Sequence, residues 1–246
     1  MKVCVTLDDG LKSHLTYWNK VGLPSTFFVL PELTELATHY RNRADNILTW
    51  GEVRLLTKSG LNEIGFHGYS SRYEKWGPER TAEAIHLHKE MFKNEIGYYP
   101  VSFAYTNMQA YQLPVICKEF LYIRDFFWRD SKQDEYVLRI PKTPDDVKPF
   151  IDKVFCIHHA KSLEGTFRQI RRAQDMGYKY CVMVLHDITD YEIELTRLIR
   201  TIYDTCTFRE IFEGQSKGDN GGSPTPATVN NEAALTGSTP VASPAK

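Results

Sequence analysis

The stretch VTLDDG, from Val5 to Gly10, is the part of this chain that decides the fold. Its apolar half continues the run KVCVTL, which predicts a buried strand because aliphatic and β-branched residues dominate it. Two carboxylates, Asp8 and Asp9, follow where that strand ends. An Asp-Gly pair is also common in solvated turns. Adjacent like charges beside a buried strand nevertheless favour a functional site in which a cation removes their repulsion.

Outward from this strand, apolar runs alternate with helical patterns along the chain. The predicted strands are KVCVTL, STFFVL, LNEIGFH, VSFAYT, LYIRDFFW, VFCIHH and YCVMVLHD. Strands that alternate with helices predict an α/β fold with a mostly parallel sheet, either a barrel or an open doubly wound sheet. In both architectures, functional groups gather where the parallel strands end.

Polar side chains follow most of the predicted strands. The segments TLDDG, GFHGYSS, IHH and VLHD each place His or Asp just beyond an apolar run. One carboxylate and an imidazole together suit zinc, cobalt, iron or manganese. A second carboxylate can take a proton from water at such a metal, and a histidine opposite can protonate a leaving group. The pattern therefore predicts a metal-assisted hydrolase.

Charge and hydropathy narrow the possible partners. The formal net charge of −1 gives no electrostatic argument for nucleic acid or an anionic membrane. No run of about 18 apolar residues predicts a membrane span. The beginning MKVCVTL has no leader pattern, so we expect a cytoplasmic location. Five scattered cysteines without CxxC spacing predict buried, reduced thiols.

The composition changes abruptly after Phe212. Residues 213–246 are dominated by Gly, Ser, Thr, Pro, Ala and Asn, and contain no aromatic residue. Such a segment cannot bury enough apolar surface to offset the entropy of ordering it. We therefore expect a single catalytic domain over residues 1–212 and a disordered, low-complexity tail over residues 213–246.

Four of these segments resemble motifs of the polysaccharide deacetylase family (NodB homology, carbohydrate esterase 4), and they occur in that family's order. TLDDG resembles its first motif, TFDDG, and EIGFHGYSS resembles its second, H-[ST]-x-x-H. FAYTN resembles the FAYPxG form of the third motif, and VLHD resembles the last. The resemblance covers nearly all of residues 1–212 and implies a distorted (β/α)7 barrel in a polysaccharide-deacetylase-like domain.

The resemblance also implies roles for individual residues. Asp8 would be the general base and His186 the catalytic acid. Asp9 and His67 would be metal ligands, with zinc the expected metal and cobalt, iron or manganese as alternatives. Tyr105 would line the pocket at the acyl end of the substrate.

The second motif departs from the family pattern. The position of its second metal-binding histidine is Ser71, and a serine hydroxyl is a poor ligand for a divalent metal at neutral pH. Two repairs stay open. Either His158 or His159, in CIHHAK, supplies the third ligand, with His159 the tentative choice, or the site works without a metal.

Other polar residues have weaker motif support. The fourth motif has no clear counterpart, and Arg124 and Asp125 are the nearest candidates for orienting groups. Trp76, in a loop-like segment soon after the second motif, is a candidate platform for stacking on a sugar. His14 carries no motif, and we expect it to be solvated.

The leading functional hypothesis is hydrolysis of an N-acyl group, expected to be acetyl, from an amino sugar or glycan precursor. One alternative is a metal-independent amidohydrolase acting on a small cyclic or linear amide. Another is a catalytically inactive barrel that binds glycans. The expected partner is a carbohydrate rather than nucleic acid.

Overall fold

The computed structural model describes residues 1–31, 46–68, 76–104, 110–126, 136–139, 154–158 and 162–216. Strands within these ranges are β1 Lys2–Leu7, β2 Thr26–Val29, β3 Glu63–His67, β4 Ser102–Ala104, β5 Tyr122–Phe126, β6 Tyr136–Arg139, β7 Val154–His158, β8 Tyr180–Leu185 and β9 Asp204–Cys206. The described α-helices are α1 Lys12–Val21, α2 Trp50–Thr57, α3 Pro78–Ile96, α4 Leu113–Glu119, α5 Leu163–Asp175, α6 Asp190–Ile202 and α7 Phe208–Ser216, and a 3₁₀ turn covers Ala110–Gln112.

Local sequence signals explain several helix ends. Thr49 and Glu52 form the capping box at the start of α2, in which each side chain accepts a hydrogen bond from the other residue's backbone N–H. Helix α1 ends at Gly22, whose φ of 61° lies in the left-handed region that glycine adopts without strain. No described helix is long and apolar enough to cross a membrane.

The strands form one sheet in the order β6-β5-β4-β3-β2-β1-β8-β7. All neighbours in this order are parallel except β5 and β6, which are antiparallel. The predicted α/β fold with mostly parallel strands is therefore confirmed, and the sheet has the curved form of a distorted barrel. Polar residues at the carboxyl ends of these strands consequently face the same rim.

The sheet forks at β1. Along one edge of β1, the whole of β8 pairs with Lys2–Leu7. On the other edge, β9 pairs with residues 2–4 and β2 pairs only with Thr6 and Leu7. Because β9 leads directly into α7, the fork brings the C-terminal helix against the start of β1.

Alternate side chains of β1 face two different environments. Val3, Val5 and Leu7 join the larger apolar core. Cys4 joins a smaller core with Phe208, Ile211 and Phe212 of α7. Since Thr6 and Asp8 follow Cys4 at a spacing of two residues, this second face leads from α7 towards the predicted site.

Three short or terminal elements were missed by the sequence analysis. β6 and β9 contain four and three residues, too few to show a clear period of two. The final helix, α7, continues to Ser216 and so extends beyond the domain boundary predicted at position 212. Its apolar residues recur at spacings of three and four, a pattern that the polar composition of the following segment obscured.

The prediction of reduced thiols is confirmed for four cysteines. Cys4, Cys117, Cys181 and Cys206 are buried and lie outside any disulfide. The side chain of Cys156 lies outside the described residues.

Candidate active site

Four of the predicted site residues lie together at the carboxyl ends of β1, β3 and β8: Asp8, Asp9, His67 and His186. The Nε2 atom of His67 lies 3.2 Å from Oδ1 of Asp9 and 3.8 Å from Oδ2 of Asp8. The Nε2 atom of His186 lies 4.0 Å from that same Oδ2. Residues that are remote in sequence therefore form one cluster of two carboxylates and two imidazoles.

Strand register accounts for this convergence. Leu7 pairs with Leu185, and the backbone N–H of Asp8 donates a 2.9 Å hydrogen bond to the carbonyl of Leu185. Because β1 and β8 are parallel, Asp8 and His186 leave the sheet at the same level.

The cluster is buried on one side and open on the other. The side chains of His67 and Asp8 are 1% and 5% exposed, whereas that of His186 is 41% exposed. A molecule approaching from solvent would therefore meet His186 first and the Asp8 carboxylate beneath it.

Asp9 has an unusual backbone. Its φ is 78°, and it is the only residue other than glycine in the described ranges with a positive φ. This conformation is costly for a residue that carries a Cβ, and such strain often accompanies function. Here it turns the Asp9 carboxylate towards His67.

The His67 ring is oriented by the neighbouring strand. Its Nδ1 lies 3.1 Å from the carbonyl oxygen of Ala104, so Nδ1 carries the proton and donates to that oxygen. The Nε2 atom is buried and, despite its closeness to Asp9, forms no hydrogen bond of acceptable geometry. When His67 is neutral, Nε2 is therefore its unprotonated nitrogen and lies beside a carboxylate, which is the donor arrangement that a divalent metal uses.

These two donors fit a metal, but they do not complete its coordination. Within the described residues, no group of three or more His, Cys, Asp or Glu side chains is arranged to hold a metal ion. Asp9 and His67 can supply two ligands, and a third would have to come from elsewhere.

The charges in the cluster shift the pKa of His67. Burial disfavours its charged form, but the nearby carboxylates of Asp8 and Asp9 outweigh burial and raise the pKa above its usual value. The site therefore attracts a cation at Nε2, and a metal ion bound there would replace a proton.

Arg124 is the third partner of Asp8. Its guanidinium, on a side chain only 2% exposed, donates hydrogen bonds to Oδ2 of Asp8 and, at 2.6 Å, to Oγ1 of Thr6. Burial would raise the pKa of Asp8, but the positive charges of Arg124 and then His67 outweigh it and lower that pKa. The Asp8 carboxylate is consequently ionised and fixed in orientation.

The expectation that His14 is solvated was wrong. His14 is fully buried on the inner face of α1, and its Nε2–H donates a 2.9 Å hydrogen bond to the backbone carbonyl of His186. Ser13 accepts a 3.2 Å hydrogen bond from the N–H of Ile188. The buried positions 14, 17 and 21 of α1 follow a helical period, which could have revealed the burial of His14. The start of α1 therefore holds the backbone that carries His186.

Several predicted residues fall outside the described residues. They are Ser71, Tyr105 and His159, together with the side chains of Asp125 and His158. Their proposed roles, including that of the third metal ligand, stay predictions.

Trp76 lies within the described residues, and its ring contacts the core and a cation. Its half-buried ring packs against the larger core, and the guanidinium of Arg80 lies 4.6 Å from the ring centroid. Its backbone carbonyl accepts hydrogen bonds from Tyr111 and Gln112. The role of sugar platform stays a prediction.

A cavity of about 280 Å³ lies at the other end of the sheet, near the starts of β3 and β4. Its lining includes Glu63, Tyr98 and Arg209, and none of the four clustered residues. The Glu63 carboxylate there already accepts hydrogen bonds from Thr26, Ser102 and the backbone of Arg209. The cavity therefore offers no comparable set of reactive groups.

A comparison with protein families finds a match that covers the first part of this site. The polysaccharide deacetylase family model matches residues 1–113, which include β1 and β3 but end before Arg124 and His186. No curated protein matches the sequence of this chain.

Solved structures share the fold at low identity. A family 4 acetyl xylan esterase from Clostridium thermocellum, in complex with a cobalt ion, is 17% identical with a TM-score of 0.50, over 88% of this chain and 92% of that one. A family 4 carbohydrate esterase from Streptomyces lividans, in complex with acetate, is 15% identical with a TM-score of 0.50, over 84% and 91%. A carbohydrate esterase 4 pseudoenzyme from Bacillus anthracis is 10% identical with a TM-score of 0.54, over 85% and 64%. The resemblance predicted from the motifs is therefore confirmed: residues 1–113 match the polysaccharide deacetylase family, and the described chain has the fold of solved family 4 carbohydrate esterases.

Proposed function

We propose that this protein is a hydrolase that removes an N-acyl group, expected to be acetyl, from an amino sugar or glycan precursor. The observation that carries the proposal is the Asp8 carboxylate, which Arg124 keeps ionised on one side while His186 lies 4.0 Å away on the other. Amide hydrolysis needs a base to activate water and an acid to protonate the departing amine. The polysaccharide deacetylase match and the shared fold support a carbohydrate substrate.

Asp9 and His67 would hold a divalent metal, with zinc expected and cobalt, iron or manganese also suited to these donors. His159 is the proposed third ligand, because Ser71 stands where the family has a second histidine. When bound, the metal supplies Lewis acidity to the acyl carbonyl and to water. The hydrogen bond from His67 Nδ1–H to the carbonyl of Ala104 would leave Nε2 available to the metal.

Asp8 would accept the proton of the attacking water. Its Oδ2 is occupied by Arg124, whereas its buried Oδ1 has no hydrogen-bond partner within the described residues. An ionised oxygen without a partner is the group in this cluster best prepared to take a proton.

His186 would donate a proton to the departing amine. It is the most exposed of the four residues, and its backbone is held by His14. Tyr105 is proposed to line the acyl end of the pocket and Trp76 to contact the sugar.

The experiment compares Asp8→Asn with Asp9→Asn, using acetylated chito-oligosaccharides as the probe substrate and zinc titration calorimetry for metal binding. We expect Asp8→Asn to abolish acetate release while zinc still binds, because Asp8 is the base and not a ligand. Asp9→Asn should lose both. Simultaneous loss of both properties in Asp8→Asn, or of neither, would contradict these roles.

The departure at Ser71 favours a second candidate, a metal-independent amidohydrolase on a small amide. Acetate release that is unchanged after exhaustive chelation would support this candidate over the first. Binding of the oligosaccharide without any turnover, with or without zinc, would instead indicate a glycan-binding barrel. A cytoplasmic location stays a prediction of the sequence alone.

A further inference from the structure

We propose that Phe208, on the C-terminal helix α7, is a positioning residue for the reaction centre. Through the ring of Phe28 it fixes the guanidinium of Arg124 and thereby the Asp8 carboxylate. The catalytic part of this inference rests on the proposed function. The positioning part concerns the folded chain alone and is tested separately.

The first link joins Arg124 to Phe28. The Arg124 guanidinium lies 4.8 Å from the centroid of the Phe28 ring, on the inner face of the sheet. A buried guanidinium above an aromatic ring is attracted by the negative face of that ring. The hydrogen bonds to Thr6 and Asp8 hold the same guanidinium by its NH1 and NH2 groups. The position of the Phe28 ring therefore influences the direction in which the guanidinium donates its hydrogen bonds to Thr6 and Asp8.

The second link joins the Phe28 ring to Phe208. A Cβ added to Gly65 would come within 2.5 Å of the Phe28 ring, so the ring occupies space that only glycine leaves free. The ring of Phe208 meets it edge-on, with centroids 5.6 Å apart and an interplanar angle of 74°. Phe28 itself is fully buried, and the centroid of the His67 ring lies 6.5 Å from its own. A displacement of Phe208 is therefore expected to displace the Phe28 ring.

The third link anchors Phe208 to the starts of the neighbouring strands. The N–H of Phe208 donates a 2.7 Å hydrogen bond to Oγ1 of Thr26, and the N–H of Arg209 donates a 2.8 Å bond to Oε2 of Glu63. Thr26 Oγ1 in turn donates to that same carboxylate oxygen at 2.9 Å. The first turn of α7 is thus fixed to β2 and β3, at the opposite ends of the strands from the reaction centre.

Together these contacts form a continuous row from the C-terminal helix to the proposed base. Close-packed rings and a buried charge transmit small displacements because the interior has no free volume to absorb them. A shift of the proposed base by about 1 Å can reduce turnover by about a hundredfold, since catalysis depends on near-attack geometry. Phe208 is therefore expected to affect turnover although it contacts neither substrate nor metal.

The test compares Phe208→Leu with Phe212→Leu, the same substitution on the same helix. Phe212 stacks on Tyr122, with ring centroids 4.6 Å apart, and packs against Phe208. Both variants lose an aromatic ring from the smaller core, so both should lower the melting temperature. The specific readout is the NMR signal of the Arg124 guanidinium, assigned by its disappearance in Arg124→Lys and sensitive to the ring current of Phe28.

We expect Phe208→Leu to shift the Arg124 signal and to lower kcat on acetylated chito-oligosaccharides at least tenfold, with KM little changed. Phe212→Leu should leave the signal in place and reduce kcat less than twofold. An unshifted signal in Phe208→Leu, or equal shifts in both variants, would overturn the proposal. If Phe208→Leu does not fold, Phe208→Met tests the same link with the Phe28 ring still present, and it should also shift the signal.

The two proposals fail in different ways. If the unsubstituted chain releases no acetate but the Arg124 signal responds to Phe208→Leu alone, the positioning row is supported and the deacetylase proposal falls. If the unsubstituted chain is active but Phe208→Leu leaves both the signal and kcat unchanged, the row is refuted and the deacetylase proposal stands.

Discussion

At the scale of single residues, Asp9 combines a strained backbone with a proposed ligand role. Its positive φ would suit glycine, yet glycine has no carboxylate to offer. The side chain of Asp9 lies against His67, at 3.2 Å. The strain is therefore compatible with a residue kept for chemistry rather than for stability.

Replacing Asp9 should separate the cost of its backbone strain from its contribution to metal binding. We expect Asp9→Ala to be less stable than Asp9→Gly by about 1 kcal/mol, because a Cβ is disfavoured at positive φ. Both variants should lose zinc affinity. Chemical denaturation checks the order, with exposed Asp187 as the control site, where Ala should be at least as stable as Gly. If the Ala variant were at least as stable as the Gly variant at position 9 as well, Asp9 would carry no backbone strain.

The buried pair of Arg124 and Asp8 makes a second prediction at this scale. Arg124→Met leaves a carboxylate buried without its partner, so the free energy of unfolding should fall by roughly 3–5 kcal/mol. Adding Asp8→Asn removes that charge, and the double variant should be more stable than Arg124→Met alone. Denaturant titration of the four proteins in the cycle gives the coupling energy.

The exposed pair of Arg54 and Glu95 provides the control. Its side chains are 49% and 34% exposed, so Arg54→Met should cost less than about 1 kcal/mol. Additive effects of Arg124→Met and Asp8→Asn would contradict the assignment of a coupled buried pair.

Sequence reasoning reached some of these residues and not others. Asp8, Asp9, His67 and His186 each follow a recognisable apolar strand, so their grouping could be predicted from strand ends alone. The contact of Arg124 with Asp8 spans 116 residues and depends on the register of five strands. No local sequence pattern reveals a contact between residues so far apart in the chain, so Arg124 could be predicted only as a candidate orienting group.

At the scale of elements, the start of α1 supports the end of β8. His14 is buried with one ring nitrogen bonded to the His186 carbonyl and the other without a partner in the described part of the chain. Burial is the main cause that lowers the pKa of His14 to about 4, so the ring is neutral at physiological pH.

This neutral histidine should make the protein sensitive to acid. The pKa of His14 is lower in the folded chain than its value of about 6.5 in the unfolded chain. The stability it contributes is therefore complete above pH 6.5 and is lost as the pH falls towards 4, by roughly 3 kcal/mol in all.

Urea denaturation at a series of pH values checks this prediction. His14→Gln, whose amide can still donate to His186, should lose less stability than the unsubstituted chain between pH 6.5 and 4. His86→Gln, at an exposed position of α3, should behave like the unsubstituted chain. Parallel curves for all three proteins would exclude His14 as the acid-sensitive group.

Element length decided which parts of the fold could be predicted. Local signals mark some helix ends: α2 begins with a capping box, and α3 has a proline at its start and ends at Gly97. β9 has three residues and owes its existence to pairing with the start of β1, a contact that no local propensity reveals. The same is true of β6, which is paired with β5 through the tertiary fold.

At the scale of the whole molecule, α7 closes the inner face of the sheet. Phe208, Ile211 and Phe212 pack with Cys4, Phe28 and other buried residues of the smaller core. A boundary at position 212 would cut through this helix. The helix itself continues to Ser216, and the division into a folded domain and a disordered tail stays a proposal.

Two truncations test this division. We expect a chain that ends at Ser216 to melt at the temperature of the full chain, because it keeps every packed element described here. A chain that ends at Thr207 loses α7 and exposes the smaller core, so it should unfold without a cooperative transition. Scanning calorimetry distinguishes the two. A cooperative transition at the full-length temperature in the shorter chain would show that α7 is dispensable.

The forked pairing of β1 has a consequence for protein synthesis. β1 leaves the ribosome well before β8 and β9, so it can complete its pairing only after those two strands have been synthesised. For example, the Thr6 hydroxyl donates a hydrogen bond to the carbonyl of Met183, which lies 177 residues further along the chain. A nascent chain would therefore carry both aspartates without the surroundings that make them reactive until β8 and β9 have been synthesised, and competence would arrive only then.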